Sequence, residues 1–152
     1  MSMLPKVEIF AGLSEEEQAA LENSCVTRNY PRNTVVINEN DFADSLYVIE
    51  SGRVKVYCSD KNGKEYIMNT LGPGDYFGEL ALLDDDRRSA SVRTLEKSTF
   101  TIMFKDEFHA IMERHPKIAQ TLIRNLTRRV RKLTENVKSL ALSDVYGRLV
   151  RL

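Results

Sequence analysis

Between Cys25 and Leu71 the chain alternates apolar and polar residues with a period of two. Val35 and Ile37, Leu46 and Val48, Val54 and Val56, and Tyr66 and Met68 each stand two positions apart, the spacing of strands with one buried face. Turn-forming clusters separate them: Pro31-Arg32-Asn33, Asn38-Glu39-Asn40-Asp41, Ser51-Gly52 and Lys61-Asn62-Gly63. Asn62-Gly63 between two alternating runs is a strong hairpin signal, because both residues tolerate the positive φ that such a turn needs. Residues 89–95 and 98–104 read as closing strands. Strands at this spacing predict an antiparallel sandwich or jelly roll.

Helical periods flank the strands. Ser14 followed by Glu17 predicts a capping box and a helix to about Asn23, with Leu13 and Leu21 packing on the sheet. Asp106 to Met112 predicts a short amphipathic helix, and Pro116 suits the first turn of the next. In that last helix Leu126, Leu133 and Leu140 recur every seven residues, as do Val130 and Val137. Valine at a and leucine at d favour a two-stranded parallel coiled coil, and the 3.5-residue repeat distinguishes such a seam from a stripe packed on its own domain. A break is expected near Ser143-Asp144, either of which could cap a following helix over residues 145–152.

Composition narrows the function classes. The 152 residues suit one domain with an extension, and 22 basic against 22 acidic residues give no net charge. A module that grips nucleic acid by itself usually has a basic excess, so Arg124, Arg128, Arg129, Arg131 and Lys132 are read as a solvated helix face. No long apolar run or signal-peptide pattern is present, which leads to the expectation of a cytoplasmic protein with no membrane partner. Cys25 and Cys58 lack metal-ligand spacing and are expected to be reduced thiols. An iron–sulfur sensor would need about four cysteines, and haem through His109 or His115 lacks an evident axial pair. A jelly-roll enzyme of cupin type would cluster histidines and a carboxylate on the strands, but both histidines lie beyond them. No Cys–His or Ser–His–Asp arrangement is visible, so neither a metal nor an enzymatic activity is expected.

The candidate chemistry lies between Gly72 and Val92, in LGPGDYFGELALLDDDRRSASV with its preceding leucine. Gly78 allows close approach of backbone to a ligand, and the residues after it can open a short helix whose free N–H groups favour phosphate. Arg88 can contact phosphate oxygens through charge-assisted bonds. Ser89 adds a hydroxyl, and Glu79 a pair of acceptors suited to sugar hydroxyls. The competing reading pairs Arg88 with Asp84, Asp85 or Asp86 on the surface. Arg87 is expected to leave the strand on the side away from the site.

The run Phe77-Gly78-Glu79-Leu80-Ala81-Leu82-Leu83, a spacer, then Arg88-Ser89-Ala90-Ser91-Val92 resembles the phosphate-binding cassette of cyclic-nucleotide-binding domains. The whole chain, ending in LALSDVYGRLVRL, resembles the sensor half of the Crp–Fnr family of bacterial transcription regulators. The resemblance implies a mainly β fold with flanking helices: an antiparallel β-roll or jelly roll followed by a long dimerisation helix. The β-roll would occupy residues 1–116, the helix 117–143, and the start of a DNA-binding unit 144–152. The ligand site carried over comprises Phe77, Gly78, Glu79, Leu80, Ala81, Arg88, Ser89 and Ala90, with Leu133 and Thr134 of the helix. Gly78 and the backbone after it would approach the ribose phosphate, Glu79 would accept from the ribose 2′-hydroxyl, and Arg88 and Ser89 would hold the cyclic phosphate.

The family's cyclic-AMP binders read adenine with a threonine–serine pair on the helix, whose second hydroxyl serves the partner's pocket. Thr134 keeps that second hydroxyl, whereas Leu133 stands in place of the first. Cyclic AMP is therefore expected with cyclic GMP or a cyclic dinucleotide left open. Implied partners are a second copy of the chain, DNA through a helix-turn-helix domain absent here, and RNA polymerase in the full-length protein. A regulatory domain of a kinase or channel shares the cassette, but the final residues resemble the bacterial regulators' hinge.

Overall fold

The computed structural model describes residues 3–150, apart from the side chains of Leu80 and residues 148–150. Two 3-10 turns, Leu4–Lys6 and Glu8–Phe10, bury Leu4, Ile9 and Phe10. Helix α1 (Glu15–Asn23) opens on the expected capping box: Ser14 Oγ accepts from the Glu17 N–H at 3.1 Å, and Glu17 Oε1 from the Ser14 N–H at 3.2 Å.

Eight strands follow: β1 (Val26–Tyr30), β2 (Val35–Ile37), β3 (Ser45–Ser51), β4 (Val54–Ser59), β5 (Glu65–Leu71), β6 (Tyr76–Phe77), β7 (Ser91–Thr94) and β8 (Ser98–Phe104). They form two four-stranded antiparallel sheets, ordered β1-β8-β3-β6 and β2-β7-β4-β5. Most neighbours are distant in sequence, as in a jelly roll. The expected β-roll with flanking helices is the fold observed.

Alternation works differently on different strands. On β3, Leu46 and Val48 face one core while Tyr47 and Ile49 face another, so both faces are buried. The first core joins Leu46, Val48 and Met103 to the N-terminal turns and helices through Phe10, Leu21, Phe108, Ile111 and Ile118. The second lies between the sheets and holds Tyr47, Ile49, Val54, Phe77, Val92, Phe100 and Ile102. On β5, by contrast, Tyr66, Ile67 and Met68 are all exposed, because this strand forms a sheet edge. Gly52 turns the corner between β3 and β4 at φ +95°, and a Cβ there would collide with Ser98.

Helix α2 (Lys105–Arg114) leads into α3 (Pro116–Val150), which begins at the expected proline. The first turns of α3 are anchored: Ile118 and Leu122 are buried, and Asn125 Nδ2 donates to the carbonyls of Ile9 and Ala11 at 2.9 and 3.0 Å. From Val130 to Tyr146 every residue is exposed. The break expected at Ser143-Asp144 is not observed, since α3 runs on to Val150. Ser and Asp cost only a fraction of a kcal/mol inside a helix, about 0.5 each, and neither forces an end as proline would. Arg151 and Leu152 lie outside the described residues.

Candidate functional site

The predicted cassette is built on an aromatic anchor. Phe77, the last residue of β6, stacks on Tyr47 at 4.9 Å with an interplanar angle of 5° and meets the edge of Phe100 at 5.6 Å. This fixes the chain where Gly78 turns it at φ +80°. A 3-10 helix, Glu79–Leu82, follows, with the Ala81 N–H donating to the Gly78 carbonyl at 3.1 Å. Ala81 and Leu82 are buried. Helix α2 holds the next residues: His109 Nε2 lies 3.1 Å from the Leu82 carbonyl, and Lys105 Nζ pairs with Asp85 at 2.6 Å and contacts the Asp84 carbonyl.

Arg88 closes the site from the other side. Its N–H donates to the Asp41 carbonyl at 2.8 Å, and its carbonyl accepts from the Asn40 N–H at 2.9 Å. The side chain then turns inward and is only 6% exposed. Nη2 donates to Ser45 Oγ at 3.2 Å and lies 3.7 Å from Asp44 Oδ1, while the guanidinium sits 5.9 Å from the Tyr47 ring centre. Burial pulls its pKa below the ordinary range, opposed by Tyr47, Asp44 and Asp41. Nη1 is buried with no hydrogen-bond partner. It lies so close to Gly78 that a Cβ there would collide with it. An unused buried N–H on a cation is costly, which points to an anion as its missing partner.

A cavity of about 230 Å³ opens here. Gly78, Glu79, Ala81, Arg88 and Ser89 of the predicted set line it, together with Ala43, Asp84, Asp86 and Arg87. Phe77 supports it from behind and Ala90 is buried beside it in the chain, without lining it. Leu80 belongs to the 3-10 helix, but its side chain lies outside the described residues. Leu133 and Thr134 are exposed on α3 and do not line the cavity of this single chain; Thr134 Oγ1 donates to the Val130 carbonyl at 2.9 Å.

Two expectations, on Arg87 and Arg129, need revision, and the competing reading of Arg88 is not what the structure shows. The loop aspartates do not pair with Arg88, whose one acidic neighbour within ion-pair range among the described residues is Asp44. Arg87 does not turn away from the site: residues 84–90 precede β7, so strand alternation does not apply, and Arg87 lines the cavity. Its guanidinium lies 4.4 Å from the Phe42 ring centre. Arg129, assigned to a solvated basic face, is half-buried, with Nη1 and Nη2 both 3.3 Å from Glu79 Oε1. Nothing local separates Arg129 from Arg128; the contact exists only because α3 crosses the cassette. No cluster of three metal-ligating side chains occurs among the described residues, and no helix among them is long and apolar enough to cross a membrane.

Known proteins resemble this arrangement in sequence and in shape. The sequence model of the family described as "Cyclic nucleotide-binding domain" matches residues 27–115. The CRP-like cAMP-activated global transcriptional regulator of Mycobacterium tuberculosis is 32% identical over 149 residues, covering 98% of this chain and 66% of that protein. The cyclic AMP receptor protein of Thermus thermophilus is 30% identical over 141 residues, 93% of this chain and 65% of that protein. The chain thus spans just under two thirds of these relatives. The crystal structure of the N-terminal domain of a Streptomyces coelicolor transcriptional regulator superposes with a TM-score of 0.82 at 28% identity, covering 90% of this chain and 95% of that one.

Proposed function

The chain belongs to the cyclic nucleotide-binding domain family, related to the Crp transcription regulators, and on that footing we propose that it is the ligand-sensing part of such a regulator. The observation that carries this reading is the buried Arg88 with its unpartnered Nη1 against Gly78. A cyclic phosphate supplies the missing acceptor and the opposing charge together. Glu79 takes the ribose 2′-hydroxyl, and Ser89 and the backbone after Gly78 take the remaining phosphate oxygens. Cyclic AMP is the ligand assigned first, in line with the activator named in the mycobacterial relative; cyclic GMP and cyclic dinucleotides are its competitors.

The output side of the reading rests on α3. Val130, Leu133, Val137 and Leu140 are between 55% and 71% exposed and repeat with heptad spacing, a seam suited to a second copy of the chain. In that dimer Thr134, beside the seam, would face the partner's ligand, and DNA would be bound by a unit that starts with residues 144–152, with RNA polymerase as a further partner of the whole protein. The division at 116/117 and 143/144 belongs to this proposal. The protein performs no chemistry in this reading. Ligand shifts an equilibrium between helix arrangements only by binding one of them more tightly, and the Glu79–Arg129 pair joins the cassette to the helix that would move.

A thermal-shift panel of cyclic mononucleotides and dinucleotides, followed by calorimetry, tests the reading. A ligand at a hundred times its Kd stabilises by about 2.7 kcal/mol. A clear shift with cyclic AMP is the expected result. No shift with any cyclic nucleotide, together with stoichiometric metal in the purified protein, would favour a cupin-type enzyme instead.

A further inference from the structure

The cavity carries more negative charge than an anion site requires. Glu79 is held by Arg129 at 3.3 Å, and Arg88 has Asp44 at 3.7 Å. Asp85 turns outward to Lys105, its side chain 99% exposed. Asp84 and Asp86 line the cavity, and neither has a salt-bridge partner among the described residues. Their carboxylates serve only the loop: Asp84 Oδ1 accepts from the Asp86 N–H at 3.2 Å, and Asp86 Oδ1 from the Arg87 N–H at 2.8 Å. Arg87, the second arginine on the wall, spends its guanidinium elsewhere, over the Phe42 ring at 4.4 Å and on the Asn40 carbonyl at 2.9 Å. The cavity wall therefore offers one inward guanidinium N–H and, elsewhere on the same wall, two exposed aspartates whose carboxylates form no salt bridge among the described residues.

We propose that Asp84 and Asp86 set the charge the cavity accepts, selecting singly charged phosphodiesters over doubly charged phosphomonoesters. This rests on the cyclic-nucleotide reading and adds to it the basis on which an opened nucleotide is refused. A phosphodiester carries one negative charge, which Arg88 matches. A phosphomonoester has a second pKa of about 6 and carries close to two charges at neutral pH. The second charge finds no second inward cation and meets two carboxylates in a partly enclosed space, where like charges repel more strongly than in water. Discrimination is built from a repulsive element, so removing it should admit the wrong ligand and leave the right one little changed.

The test is calorimetry, with competition for weak binders, on the whole chain and on the Asp84→Asn/Asp86→Asn variant. Asparagine keeps the side-chain oxygens that bond the loop N–H groups and removes the charges. The ligands are cyclic AMP, 5′-AMP and the methyl ester of 5′-AMP, which is acyclic but singly charged. The variant should bind 5′-AMP roughly tenfold more tightly or better, with cyclic AMP and the methyl ester changing less than about threefold. Asp85→Asn, at a position held by Lys105 outside the cavity, should change none of the three. An unchanged 5′-AMP affinity in the variant overturns the proposal, as does equal tightening of all three ligands. If the double variant melts early, the single variants should each show part of the effect, and two inert single variants overturn it equally. Failure of the unmodified chain to bind any cyclic nucleotide of the panel removes the cyclic-nucleotide reading, and this inference with it; intact cyclic-nucleotide binding with no change in discrimination removes the inference alone.

Discussion

Arg129 of α3 meets Glu79 of the cassette with both terminal guanidinium nitrogens 3.3 Å from one carboxylate oxygen. Glu79 is 16% exposed and Arg129 35%, so the pair is shielded enough to count for more than a surface contact. It neutralises a carboxylate that would otherwise face an incoming phosphate. Arg129→Ala should therefore weaken cyclic-nucleotide binding, by about 1–2 kcal/mol. Glu79→Gln on the Arg129→Ala background should cost less than Glu79→Gln alone. A double-mutant cycle by calorimetry should give a coupling of about 0.5–3 kcal/mol; additive effects would mean the pair plays no part in the site.

Arg88 and Gly78 should behave as one unit. Arg88→Ala removes the buried cation and should cost on the order of 2–5 kcal/mol of nucleotide affinity. Gly78→Ala places a Cβ against Arg88 Nη1 and 2.9 Å from the Ser45 carbonyl, at φ +80°. Backbone strain there costs about 1–3 kcal/mol of stability. Displacement of Arg88 should lower affinity further, so binding should suffer more than melting. Calorimetry beside thermal denaturation separates the two losses.

The seam on α3 predicts a parallel dimer. Val137 is 64% exposed and Leu133 55% in the single chain. Val137→Glu would put an unpaired charge into the interface and should yield monomers at micromolar concentration, since burying such a charge is costly. Sedimentation of the unmodified and variant chains gives the answer, and a monomeric unmodified chain would dismiss the coiled coil.

Leu133→Thr tests base selectivity. A hydroxyl at this position should raise the preference for cyclic AMP over cyclic GMP by about 1 kcal/mol, the net worth of one hydrogen bond. It should also weaken the dimer, because Leu133 occupies a d position. Calorimetry well above the dimer dissociation constant keeps the effects apart. An unmodified chain that already prefers cyclic AMP a hundredfold, about 2.7 kcal/mol, would show that other groups read the base.

Cys25 makes the fold sensitive to alkali. Burial pushes its thiol from an ordinary value near 9.0 up to about 12, and burial also raises the hydroxyls of Tyr47 and Tyr76. The native state holds these protons after the unfolded chain has released them. Stability is thus full below pH about 9 and falls as pH climbs toward about 12. Cys25→Ala should flatten part of that decline, on the order of 1–2 kcal/mol once partial exposure is discounted. Urea midpoints between pH about 8 and 11 measure the slope for both proteins.

The residue order already contains what depends on neighbours in the chain. Ser14 and Glu17 cap α1, Asn62-Gly63 joins β4 to β5, and Pro116 opens α3, because each acts within a few residues. It also contains the candidate site, since Gly78, Glu79, Arg88 and Ser89 lie within 12 positions and carry their chemistry in their residue types. What it left undecided depends on the layering of distant segments. Alternation marks one face of a strand, yet β3 buries both because helices cover the outer side of its sheet, while β5 buries little because it is an edge. Ser45 and Asp44 reach Arg88 from 43 and 44 positions away, and Arg129 reaches Glu79 from 50. The helix runs through Ser143-Asp144 because residues that are able to cap need not end a helix. Local propensity set the elements; only their packing decided that one arginine is buried with a donor to spare, a second is drawn to an aromatic ring, and a third holds the site's glutamate.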